Sequence, residues 1–296
     1  MFSLAECVPW LAVLLILSLA IIILNLVTVI VFIKNRSFRK RSTYLMINLA
    51  VADMLAGVFS TDYFTVLGAD SCNLWEDFVP VKLAVYVTIL SLLFPIASVT
   101  NISAISLERL HATFLPLRHR VMQKWIYGLI VAIIWVTAGL VSTGAVLPNQ
   151  FKQGGHYFYF IWNSFNLICL SIIAVSYASI VIKIRYGAQP QHHGAVSRER
   201  KLTMTLFIVT VVSLLTWLPF VIISFLYFTT DIFSSVFRIA FARLNIVLII
   251  FHYANSLVNP ILYAARMPDF RRALVNLFRR QPQQLNQAQV IPRRDM

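Results

Sequence analysis

Seven apolar stretches run through this chain, each close to the roughly 20 residues that a helix needs to cross a bilayer. They are 9–33, 42–67, 81–110, 125–147, 158–182, 202–228 and 242–263. Backbone N–H and C=O groups surrounded by lipid have no water to bond to, so segments this long are confined to helices that satisfy themselves internally. The predicted fold is an all-α membrane protein, a seven-transmembrane helix bundle. Composition excludes the soluble alternative: 59% of residues are hydrophobic and 12% are charged, too few to cover a water-facing surface. The first stretch lacks a basic leader and ends at Lys34-Asn35-Arg36 without a small-residue cleavage site, so it reads as a span and not a signal peptide. So few residues precede it that a ligand would have to be met by helices and loops.

The formal charge of +14 would suit nucleic acid if it were dispersed, but it is segregated. Of the 25 basic residues, only Lys82, Lys152, Arg238 and Arg243 fall on one side of the predicted spans. The rest lie on the other side, which the positive-inside rule makes cytoplasmic. The amino terminus is then outside, the carboxyl terminus is inside, and the setting is a plasma membrane crossed many times, with lipids and not nucleic acid as the partner of the charge. Cys7 and Cys72 share the oxidising side, where a bridge between them is one reading and two separate thiols the other. Cys169 falls mid-span and reads as a small core hydrophobe.

Polar residues inside the spans are expensive and mark function. Glu108 and Arg109 end the third span, and an arginine there must be held by a carboxylate or a partner. Asp53 sits mid-membrane in the second. Its carboxyl is either kept protonated or hydrogen-bonded to Asn25, or is the hard ligand of a sodium ion, with Ser98, Asn255, Ser256 and Asn259 supplying further oxygens at similar depth. Pro219 follows Trp217 in the sixth span and Pro260 interrupts the seventh; each removes a helix hydrogen bond and makes a kink. Beyond the last span, Phe270, Leu274, Leu277 and Phe278 recur at helical spacing between arginines, predicting an amphipathic helix over 268–279 on the inner leaflet. The domain so defined covers 1–280, and the polar 281–296 reads as a disordered tail.

Asn25, Leu49 with Asp53, Glu108-Arg109, Trp135, Tyr177, Trp217-Leu218-Pro219 and Asn259-Pro260-Ile261-Leu262-Tyr263 occur in order on successive spans. In these residues the chain resembles a rhodopsin-like (class A) G-protein-coupled receptor, over 9 to about 279. The resemblance implies a heterotrimeric G protein as partner and a small-molecule, lipid or peptide ligand. It implies that Arg109 contacts the G protein on release, and that Glu199, before the sixth span, holds it beforehand; the alternative is that Glu199 is an ordinary solvated charge. Tyr177 and Tyr263 would swing inward on activation, with Trp217 and Pro219 as the switch.

The sequence also departs from that family. Asp-Arg-Tyr is here Glu108-Arg109-Leu110, the cysteine expected near Ala84 is absent, Cys169 stands where a proline is usual, and Ser213 replaces a common phenylalanine. Loss of the usual bridge and of that proline resembles the melanocortin, lysophospholipid and cannabinoid branch. Pro95 leaves the carbonyl of Ser91 without its helical donor. Ser91 lies 18 residues before Arg109, five turns and ~27 Å along the same face. With Trp162, Phe220, Ser224, Asn245, His252 and Tyr253 it outlines a mostly apolar pocket with a few polar groups. No aspartate stands near Ser91, which disfavours a monoamine. Asp62 would join the pocket only if a bulge near Gly57 turned it inward. The last lysine is Lys201, so no retinal can be tethered in the seventh span. No repeat or path of intramembrane charges supports the alternative, a transporter or channel, and no nucleophile, base or metal motif supports an enzyme.

Overall fold

The computed structural model describes residues 4–35, 38, 41–64, 80–147, 155–186, 195–229 and 238–278, with some side chains inside helices left undescribed. Among these residues the chain is entirely helical. The helices are α1 (Leu4–Lys34), α2 (Thr43–Tyr63), α3 (Val81–Phe114), α4 (Pro116–Val121), α5 (Lys124–Val146), α6 (Gly155–Tyr186), α7 (Ala195–Thr229), α8 (Arg238–Arg266) and α9 (Pro268–Phe278). Six are long and apolar enough to cross a membrane, and the described apolar stretch of α7 is Val211–Leu226. The seven spans are therefore α1, α2, α3, α5, α6, α7 and α8.

Several helices outrun their apolar stretches, because backbone hydrogen bonding continues into the interface beyond the lipid. α3 has 34 residues, ~51 Å at the helical rise, well beyond the ~30 Å hydrocarbon layer. That surplus carries Glu108 and Arg109 toward the inner surface. Arg238, which hydropathy places before the seventh span, and Arg243, at the start of that span, both lie in the first turns of α8. α4 was not foreseen: Pro116 at its first position suits a helix start, where the missing N–H has no partner to lose.

The core follows α3. Ile96, Ala97, Val99, Ile102 and Ile105 pack against α2, α5, α6 and α7, and the Trp135 indole donates to Asn48 Oδ1 at 3.0 Å. Small residues set the α1–α2 approach. A Cβ on Gly57 would lie 3.0 Å from Ile21, Ile22 and the Ser18 carbonyl oxygen, so the glycine is there for contact. α2 is an unbroken helix through Gly57, without the bulge that alone would turn Asp62 inward, and Asp62 is exposed.

α9 docks as an amphipathic helix. Phe270 and Ala273 bury against Val31, Phe32, Phe38 and Tyr263, with Leu274 and Leu277 beside them, while Arg271 and Arg272 are exposed. Phe278 does not share that face; it is 70% exposed, one residue past the position that 3.6-residue periodicity would bury. The expected tail over 281–296 lies outside the described residues.

Candidate functional site

At the inner end of α3 the charges form a cluster. Arg109 Nε lies 2.7 Å from Glu108 Oε2, but the N–H does not point along that contact, so it is an ion pair without an aligned hydrogen bond. The other carboxylate oxygen is held by residues the sequence did not single out. His119 Nε2 of α4 lies 2.7 Å from Oε1, and the Tyr127 hydroxyl of α5 donates to it at 3.3 Å. His111 faces His119 with ring centroids 5.9 Å apart. Arg41 donates to the Arg120 carbonyl at 2.9 Å, tying the first inner loop to α4. Glu108 is thus a hub for three elements, and its side chain is 3% exposed, where a carboxylate needs such partners to stay buried. The signal was available in retrospect: α4 starts at Pro116, and a histidine on its first turns lies within reach of the end of α3.

Glu199 lies in the described backbone of α7, but its side chain is outside the described residues, so the latch it would form with Arg109 is not seen. Tyr177 is buried against Phe207, ring centroids 5.9 Å apart. Tyr263 is buried between Phe32 and Phe270 at 5.7 and 6.0 Å. Lys183 Nζ sits 5.7 Å over the Phe114 ring, linking the inner ends of α6 and α3.

Midway through the bundle Asp53 is fully buried and accepts three hydrogen bonds: from Ser98 Oγ at 2.6 Å, Ser256 Oγ at 2.8 Å and Asn259 Nδ2 at 2.7 Å. Asn25 does not bond to it among the described residues. Its Nδ2 donates instead to the carbonyls of Ile21 and Ser256, both at 3.0 Å. Asn255 is buried beside Ser256 with neither amide atom bonded among the described residues, and the Oδ1 of Asn259 is likewise unbonded. The structure therefore gathers Asp53, Ser98, Ser256 and Asn259 directly and leaves two amide oxygens in the neighbourhood of α8 unsatisfied.

In the outer half an aromatic box surrounds His252. Trp217, Phe220 and Trp162 stand 4.7, 5.2 and 6.1 Å from its ring centroid. Trp217 lies two residues before Pro219, which interrupts the hydrogen bonding of α7. Ser224 is buried two turns beyond Trp217 on α7, and Ser91 is buried on α3 with its hydroxyl donating to Thr88 O at 2.9 Å. Tyr253 stands edge-on to His252 with ring centroids 5.4 Å apart and packs as closely on Phe64, joining the box to a cluster of α1, α2 and α8. The side chain of Asn245 is outside the described residues. Cys7 is disulfide-bonded and Cys169 is free and buried; Cys72 is outside the described residues. Two further polar residues of α6 that the sequence analysis did not single out, Asn163 and Asn166, are also buried.

Residues 24–263 match the family model described as 7 transmembrane receptor (rhodopsin family). The chain is 26% identical over 290 residues to trace amine-associated receptor 1 of Macaca mulatta, covering 84% of this chain and 81% of that protein. It is 28% identical over 269 residues to the histamine H2 receptor of Homo sapiens (82% and 72%). It is 24% identical over 274 residues to the green-sensitive opsin of Gallus gallus (85% and 75%). Among solved structures, squid rhodopsin is similar with a TM-score of 0.76 at 15% identity, covering 94% of this chain and 87% of that one.

Proposed function

The chain belongs to the rhodopsin family of seven-transmembrane receptors, the G-protein-coupled receptors, and from that premise we propose that it sits in the plasma membrane with its amino terminus outside and turns ligand binding in the aromatic box into nucleotide exchange on a heterotrimeric G protein. The observation that carries this reading is the inner cluster. Arg109 is the cation at the end of α3, and the only acid paired with it among the described residues, Glu108, is shared with His119 and Tyr127. Ligand in the box biases Trp217, and the Pro219 kink lets the inner half of α7 move outward. Arg109 is then exposed to the partner, and Tyr177 and Tyr263 turn toward the opening. The protein acts as an exchange catalyst and makes no covalent bond itself. The transporter or channel alternative falls with family membership.

Sodium is the second ligand in this proposal. The Asp53 carboxylate, the hydroxyls of Ser98 and Ser256 and the unbonded Oδ1 atoms of Asn255 and Asn259 are an all-oxygen donor set, the kind a hard cation takes. These residues would hold the ion between α2, α3 and α8, where it would supply the positive charge that buried Asp53 lacks among the described residues. A light-sensing role is disfavoured because no lysine follows Lys201, and the absence of an aspartate near Ser91 argues against an ammonium ligand. Cys7 with Cys72 ties the outer end of α1 to the first outer loop.

Glu199 tests the latch. Glu199→Ala should raise ligand-free signalling about fivefold at equal surface expression, the shift that ~1 kcal/mol of differential contact gives a two-state equilibrium. Signalling unchanged from wild type would mean that Glu199 does not hold Arg109.

A further inference from the structure

We propose that His119 is the counter-charge that takes over Glu108 when Arg109 leaves it: the His119 imidazole then binds a proton from the inner solution, so that release of Arg109 is coupled to proton uptake. This rests on the receptor reading above and names a regulation of the same inner cluster.

Glu108 is a buried carboxylate, with Arg109 Nε 2.7 Å from one oxygen and His119 Nε2 2.7 Å from the other. Tyr127 adds only a neutral hydroxyl at 3.3 Å. No further cation is paired with Glu108 among the described residues. The receptor mechanism sends Arg109 to the partner, and a carboxylate left buried without a counter-charge is costly, so a second cation has to be at hand. His119 is the group in place. Its side chain is 22% exposed against 3% for Glu108, which opens the ring to protons of the inner solution while the carboxylate stays covered. It stands on α4, which packs on α3, and so keeps its place on Glu108 while α7 moves.

The other charged groups around the ring do not replace it. On α3, His111 faces His119 at 5.9 Å between ring centroids, and a proton on it would oppose one on His119. Arg41, just before α2, donates to the Arg120 carbonyl at 2.9 Å. Arg118 and Arg120 beside His119 on α4, and Lys124 at the start of α5, are exposed, where water and salt screen them. Lys183 of α6 is engaged over Phe114. The side chains at the inner end of α7, Glu199 among them, are outside the described residues. An imidazole is the side chain that gains a charge near neutrality, and an opposite charge at this distance changes proton affinity by about tenfold or more. Paired with Arg109, Glu108 has its charge balanced; with Arg109 gone it presents a full negative charge to His119. The coupling is reciprocal. If His119 holds its proton more tightly once Arg109 is released, a protonated His119 favours that release, and opening rises as the inner pH falls through neutrality. His119 acts through Glu108, as a positioning residue for Arg109.

The test is a nuclear magnetic resonance titration of the purified full-length receptor carrying isotope-labelled histidine, with the His119 signal identified by its loss in His119→Gln. In Arg109→Gln, which leaves Glu108 without its arginine, His119 should bind its proton about tenfold more tightly than in wild type. Equal affinity in the two would overturn the proposal. Nucleotide exchange on purified G protein between about pH 6 and about pH 8 is the second readout, since a ring that merely packs would give no such response. Wild type should rise severalfold toward the acid end. His119→Gln should stay low across the range, and His119→Lys, a fixed cation, should stay high across it. A pH response undiminished in His119→Gln would mean that Glu108 itself takes the proton and would overturn the proposal, as would His119→Lys falling below wild type at the alkaline end. The titration needs no G protein, so the tenfold tightening without exchange at any pH would count against the receptor reading and leave the proton coupling standing.

Discussion

Arg109→Ala is expected to reduce G-protein activation to background, at least about tenfold, while Glu108→Gln next to it raises the ligand-free signal severalfold. The opposite signs follow from the geometry. Arg109 is the group presented to the partner, so its loss removes a contact made only in the active complex. Glu108 restrains it: Oε2 pairs with Arg109, and Oε1 is held by His119 and Tyr127. Glutamine keeps the size and removes the charge, so the arginine is freed and α4 loses its anchor on α3. Breaking a buried pair costs ~3–5 kcal/mol in total, but only the part that differs between closed and open states shifts the equilibrium. A difference of ~1 kcal/mol already gives about fivefold. Nucleotide exchange on purified G protein, at matched receptor amounts, measures both variants. A fall in both would mean that Glu108 supports coupling and does not restrain it.

Asp53→Asn should abolish the dependence of agonist affinity on sodium. In the wild type, sodium should weaken agonist binding roughly tenfold, which corresponds to ~1.4 kcal/mol of coupling between the two sites. Asparagine retains hydrogen bonding toward Ser98, Ser256 and Asn259, so the bundle keeps its core, but the negative charge that pays for dehydrating the cation is gone. Potassium in place of sodium is the control for ionic strength. A sodium effect that persists in Asp53→Asn would place the ion elsewhere.

The spans, their order and the polar residues within them were legible in the sequence because lipid imposes one strong rule, a long apolar run for each crossing. Asp53, Arg109 and Trp217 stood out for the same reason: polar or special residues in such runs are rare. What could not be read were contacts made across helices by residues that look ordinary locally. His119 is one of several loop histidines until α4 folds it back onto Glu108. Gly57 serves close packing against Ile21 and Ile22, which no periodicity reveals. Tyr253 bridges the His252 ring and Phe64 of α2, each 5.4 Å away, a contact across helices that no spacing in the sequence reveals.

The most direct test of the account is ligand-free activation in cells across a panel of Gα classes, with wild type and Arg109→Ala at equal surface expression. A basal signal through at least one class that Arg109→Ala removes is the predicted result. A signal of the same size in both would contradict the assignment of Arg109 as the coupling residue, and with it the mechanism built on the inner cluster.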